Sequence, residues 1–220
     1  MNRFFGLMLI AISCCFSVFA QDMKVSLVPE INIPIGKLAW MYNPGPGAKI
    51  SWVQMIDNKG KFRTSRNIDL GYRILTSKAD TLYYVADKGG VGGASLGKAS
   101  FSDFRMFYAG GTYDFIYQPN KKIAISAGLV ISAMFSKRTL YVDDPSGTNE
   151  TSEKSTPWGT VGACFGVEYK LSDSFSLKPT LSYTLMIQAG STNEYSRYYN
   201  ATAGSTNHYL TPGIAVNYLF

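Results

Sequence analysis

The sequence predicts an all-β protein, an eight-stranded antiparallel transmembrane β-barrel, on three observations. Apolar residues alternate with small or polar ones at period two almost from residue 24 to Phe220. The connections between these runs alternate short and long, the signature of a barrel with tight turns at one end and longer loops at the other. Ahead of the first run stands an apolar segment with the layout of an export signal.

That segment, MNRFFGLMLIAISCCFSVFA, starts with one basic residue, runs apolar from Phe4 to about Ile12 and ends on small residues. Val18-Phe19-Ala20 suits cleavage after Ala20, which divides the chain into a signal peptide at 1–20 and a barrel domain at 21–220. The apolar run is short for a membrane anchor, and QDMK after it gives no stop-transfer pattern. Lipoprotein processing at Cys14 or Cys15 is disfavoured because AIS before Cys14 lacks the leucine usually found three places upstream.

The strands follow in order. VSLVPEINIPI sets Val25, Leu27, Ile31, Ile33 and Ile35 on one face and Ser26, Glu30 and Asn32 on the other, giving strand 24–35. AKISWVQMI predicts 47–56, although Gln54 falls on the apolar parity; DNKG then turns the chain. Strand 62–75 is clear at Ile68, Leu70, Tyr72 and Ile74, while Arg66 falls on the apolar side. FYAGGTYDFIY and the run 123–135, joined by PNKK, predict strands 102–117 and 122–141. The uncharged stretch 123–136 falls short of the roughly 20 residues a spanning helix needs. TVGACFGVEYK and FSLKPTLSYTLMI, joined by LSDS, predict 158–170 and 175–187, and the last strand is 208–220. Four longer connections, 36–46, 76–101, 142–157 and 188–207, are the expected extracellular loops.

The two parities differ in a way that selects a membrane barrel over a soluble one. A soluble barrel buries its apolar parity, but the other parity carries Glu30, Lys49, Asp69, Arg73, Asp114, Glu168 and Lys178, which would make a poor core. With the apolar parity against lipid, these seven residues form an interior charge network. Eight strands enclose a space that side chains fill, which favours a structural network over a wide pore. A narrow ion or small-solute channel is the alternative use of the same charges.

Composition excludes several chemistries. The mild excess of 21 basic over 15 acidic residues is scattered and gives no nucleic-acid footprint. Of the three cysteines, two leave with the signal, so Cys164 stands without a disulfide partner. His208 is the only histidine, and no metal, cofactor or catalytic residue is assigned. A lipid A-modifying enzyme would need His208 to activate a hydroxyl such as Ser205 or Thr211, and no carboxylate is placed to orient it. Tyr195, Arg197, Tyr198 and Tyr199 in the last long loop either form a binding surface or belong to the aromatic belt common to barrels.

GVEYKLSDSFSLKPTLSY, from Gly166 to Tyr183, resembles the penultimate hairpin of the small outer-membrane β-barrel family common in Bacteroidota, of OmpA/OmpX-like form. Tyr218 and Phe220 resemble that superfamily's C-terminal assembly signal. The resemblance implies insertion by the barrel assembly machinery. The expected location is the cell outer membrane, as a multi-pass protein whose even strand count puts both termini on the short-turn, periplasmic side. The expected partners are outer-membrane lipid and lipopolysaccharide, that machinery and a larger envelope protein complex; the expected role is structural, adhesive or complex-associated. Pro34 and Pro212 depart from the pattern, since each removes a donor from a strand ladder.

Overall fold

A period-two sequence can satisfy its backbone in lipid only if every strand finds neighbours on both sides. The computed structural model shows how this chain does so. It describes residues 23–36, 38–57, 60–78, 82–86, 95–143, 149–188 and 206–219. The segment 1–20, Tyr195, Arg197, Tyr198, Tyr199, Ser205 and Phe220 lie outside the described residues.

In chain order the elements are β1 (Met23–Ile35), α1 (Leu38–Met41), β2 (Tyr42–Asn43), β3 (Gly45–Asp57), β4 (Phe62–Ser77), β5 (Leu82–Ala86), β6 (Ser95–Phe101), β7 (Phe104–Tyr117), β8 (Ile123–Asp143), β9 (Asn149–Lys170), β10 (Phe175–Gln188) and β11 (Thr206–Leu219). Strands β1, β3, β4, β7, β8, β9, β10 and β11 pair antiparallel in succession. β11 then returns to β1, from Lys24↔Leu219 to Ile35↔His208, and the barrel closes. Closure removes the edges that would leave backbone groups unpaired in hydrocarbon. The proline positions are accommodated: β1 and β11 pair at Glu30↔Gly213 and again at Ile33↔Leu210, and Pro212 lies opposite Leu181.

The expected multi-pass arrangement does not hold. The chain is a single β-barrel domain and not a multi-pass protein, and no helix among the described residues is long and apolar enough to cross a membrane. A barrel strand takes its hydrogen bonds from its neighbours, so the crossing unit is the whole closed sheet and no strand is an independent pass.

The outward parity is predominantly apolar around the barrel. Leu27, Ile31, Leu129, Ile131, Phe135 and Ile214 are each more than half exposed, which in water would be an aggregation surface. Aromatic pairs mark the turn end of this band, with Phe62 on Tyr117 at 5.0 Å between ring centres and Phe175 on Tyr218 at 5.1 Å. Two polar residues on this parity near the turn end, Gln54 and Arg66, lie directly opposite one another, and Arg66 Nε donates to Gln54 Oε1 at 2.8 Å.

The loop end departs from the sequence expectation. β9 begins at Asn149, not near 158, and pairs with β8 out to Asp143↔Asn149. These strands of 21 and 22 residues exceed the roughly 9–11 that would span a bilayer, so their hairpin projects well beyond the outward apolar band. Its sequence, NETSEKSTP, lacks alternation because a ladder standing in water needs no apolar face. The expected loop 76–101 contains the β5–β6 hairpin, with β6 paired to β8. The expected loop 36–46 contains α1 and β2.

Candidate functional site

The inward parity builds the site, and small residues give its long side chains room. Glu30, Gly47 and Arg73 sit in one register row across β1, β3 and β4. A Cβ at Gly47 would come within 3.1 Å of both Arg73 Cγ and Glu30 Oε1. Because that Cβ is missing, the acid and the base meet across the intervening strand, with Arg73 Nε donating to Glu30 Oε1 at 2.5 Å. Arg73 Nη2 donates to the Tyr108 hydroxyl at 3.0 Å, and Nη1 donates to the Tyr209 hydroxyl. The guanidinium lies 4.0 Å from the centre of the Tyr108 ring, a cation–π contact out of water. All of these side chains are buried.

Three more carboxylates anchor the lumen toward the turn end. Asp69 accepts from Ser51 Oγ at 2.5 Å and Thr112 Oγ1 at 2.6 Å, with Lys49 Nζ at 3.7 Å. Asp114 accepts from Asn67 Nδ2 at 3.2 Å, Cys164 Sγ at 3.3 Å and Lys178 Nζ at 3.4 Å. Cys164 reaches Asp114 over Gly128, which again lies between them in register. Glu168 accepts from Ser176 Oγ at 2.5 Å, Lys24 Nζ at 2.8 Å and Asn217 Nδ2 at 3.3 Å. A cavity of about 70 Å³ lies between these nodes.

Toward the loops the lumen turns apolar. Met106, Met134, Trp158, Met186 and Tyr209 point inward and pack with Leu75 and Phe104. The β1–β3 connection seals this layer from outside. Gly36 turns the chain with φ of +61°, a conformation glycine adopts without strain, and α1 brings Leu38 and then Tyr42 into the mouth, each 1% exposed. Lys78 fastens the cap, its Nζ donating to Ala39 O at 2.5 Å and its backbone N–H to Met41 O at 3.0 Å.

The seven charged residues named from the sequence thus lie on the inner wall, and they fall into three pairs plus Glu168. The partner of Glu168, Lys24, was missed because it stands at the fringe of its strand; its even parity with Ser26 and Glu30 was the available signal. The apolar layer was also missed, although Met134 and Met186 share the parity of inward serines and threonines. Four carboxylates, Glu30, Asp69, Asp114 and Glu168, face four cations, Lys24, Lys49, Arg73 and Lys178, so the lumen is neutral pair by pair.

His208 is not brought to a hydroxyl nucleophile among the described residues. Its ring stacks on Tyr183 at 6.1 Å, while Thr211 faces the lumen and donates to Asn32 Oδ1 at 3.1 Å. Tyr218 stands on the outer face against Phe175.

A closed eight-stranded antiparallel barrel with an apolar exterior and a paired polar interior defines the class, and resembles the small outer-membrane barrels. No family model matches the chain, and no curated protein matches it either. Among solved structures it is similar to Ail, the attachment invasion locus protein of Yersinia pestis, in complex with the heparin analogue sucrose octasulfate, at 12% identity over 90% of this chain and 98% of that one, TM-score 0.47. It is similar to Neisserial surface protein A at 15% identity over 90% and 97%, TM-score 0.47. It is also similar to the outer membrane protease OmpT of Escherichia coli at 8% identity over 90% and 96%, TM-score 0.48.

Proposed function

We propose that this protein is a non-conducting outer-membrane barrel with a structural, adhesive or complex-forming role, exercised at its loop end. The observation that carries this reading is the filled cross-section. Between the polar lower lumen and the loops lie the Arg73 knot, the apolar layer of Met106, Met134 and Met186, and the cap of Leu38 and Tyr42. An ion pathway would have to displace all three. The projecting β8–β9 hairpin, widened by β6 and β5, offers a surface well clear of the bilayer.

Several assignments belong to the same proposal. Residues 1–20 act as the export signal, the lineage is that of the Bacteroidota family, and Tyr218 with Phe220 is read by the barrel assembly machinery. Outer-membrane lipid and lipopolysaccharide contact the apolar belt. Glu30, Lys49, Asp69, Arg73, Asp114, Glu168 and Lys178 serve to hold the lumen shut, and Tyr195, Arg197, Tyr198 and Tyr199 serve as loop contacts.

The test shortens the β8–β9 hairpin to a tight turn above Phe135 and Pro157. The barrel should still show heat-modifiable migration, while its co-migration with a larger envelope assembly, or its adhesion, is lost. Unchanged association after this deletion would count against a role for the loop end.

A further inference from the structure

At the turn end the lumen opens into a second cavity, of about 160 Å³. Its wall carries five cations, Lys24, Arg63, Lys121, Lys122 and Lys170, against two carboxylates, Glu168 and Asp173. Both carboxylates are engaged, Glu168 by Lys24 at 2.8 Å and Asp173 by Lys170 at 3.2 Å. Among the described residues Arg63, Lys121 and Lys122 have no carboxylate within ion-pair distance. Deeper in, Lys49, Arg73 and Lys178 are each paired with a carboxylate, so within the lumen the unpaired cations stand at this mouth.

The remaining donors point the same way. Ser172 also lines the cavity; its Oγ accepts from the Phe175 amide at 3.1 Å, which leaves its own O–H to donate. Five cations and a hydroxyl free to donate, against two carboxylates already engaged by lysines, suit a ligand rich in acceptors. A guanidinium and ammonium groups on one wall suit a phosphate, whose oxygens accept from several N–H donors; Arg63 Nε already donates to Gly60 O at 3.4 Å, so its Nη groups are the ones offered. The volume is below the roughly 300 Å³ of pockets that enclose a whole cofactor, so it holds a head group and no more. Ile123 and Phe175 border the cavity and belong to the outward parity, so it reaches the rim where Phe175 and Tyr218 mark the lipid boundary.

We infer that this vestibule binds a phosphate group through Arg63, Lys121, Lys122 and Ser172. The phosphate comes either from a phospholipid at the rim or from free inorganic phosphate. This inference is independent of the role proposed for the loop end.

The test uses the folded mature chain. In phosphate-free non-ionic detergent, calorimetric titration with inorganic phosphate should give saturable binding, weakened about tenfold or more by K121Q/K122Q. In phosphatidylcholine nanodiscs doped with phosphatidic acid, the barrel should retain phosphatidic acid above its bulk fraction, and the same variant should release it. Response in the first arm alone assigns free phosphate, and in the second alone a lipid head group; either supports the site. Heat-modifiable migration verifies that the variant is folded. The inference is overturned if neither arm responds. It is equally overturned if K61Q, on an exposed turn residue outside the cavity, weakens binding as much, since a diffuse field would then explain it.

Discussion

Arg73 of β4 and Glu30 of β1 meet at 2.5 Å over Gly47, the residue that separates them in register. A buried ion pair draws its value from being complete, because removing one partner strands the other charge out of water. Glu30→Leu or Arg73→Leu alone should therefore cost about 3–5 kcal/mol, and the double replacement distinctly less than the two singles together. Urea unfolding in lipid vesicles measures all three. A double variant as damaged as the sum of the singles would mean that the two residues act separately.

Gly71 makes a second such space. A Cβ there would stand 2.3 Å from Tyr108 Cζ, so Gly71→Ala must push the ring off the Arg73 guanidinium. The cost should be about 1–3 kcal/mol, as for other overpacked cores. In a Tyr108→Ala background the same change should cost little. An equal cost in both backgrounds would show that the glycine serves the backbone and not the ring.

The outer face should respond by depth. Leu129 is 61% exposed and lies mid-strand, so Leu129→Arg should destabilise by about 2–4 kcal/mol, and Phe62→Arg, at the turn-end belt, by no more than about 1 kcal/mol. The same vesicle unfolding measures both. Equal effects would place the membrane band elsewhere on the barrel.

What was legible in the sequence followed from one physical rule. Where lipid touches one face and packed polar groups the other, alternation is enforced, and Phe175 to Ile187 shows both parities. Outside the lipid the rule lapses, which is why residues 149–157 read as loop although they continue β9. The inward apolar layer escaped for a related reason: Met106, Met134 and Met186 are few per strand, and their purpose appears only when the stagger of the strands gathers them at one level. Ion-pair partners were illegible too, since Arg73 neighbours Gly47 on one side and Met106 on the other in register, yet bonds Glu30 beyond Gly47. Gln54 and Arg66 looked like two separate irregularities, and register makes them one pair.

A filled lumen carries no ions, and conductance across a planar bilayer reads this out. The purified, heat-modifiable barrel should give no stable unitary current. Removing the cap and layer together, in a Leu38→Gly, Tyr42→Gly, Met106→Gly variant, should move the lumen toward conducting. Stable current steps from the unaltered protein, abolished when Glu30 and Arg73 are neutralised, would contradict a sealed barrel and show a narrow channel in its place.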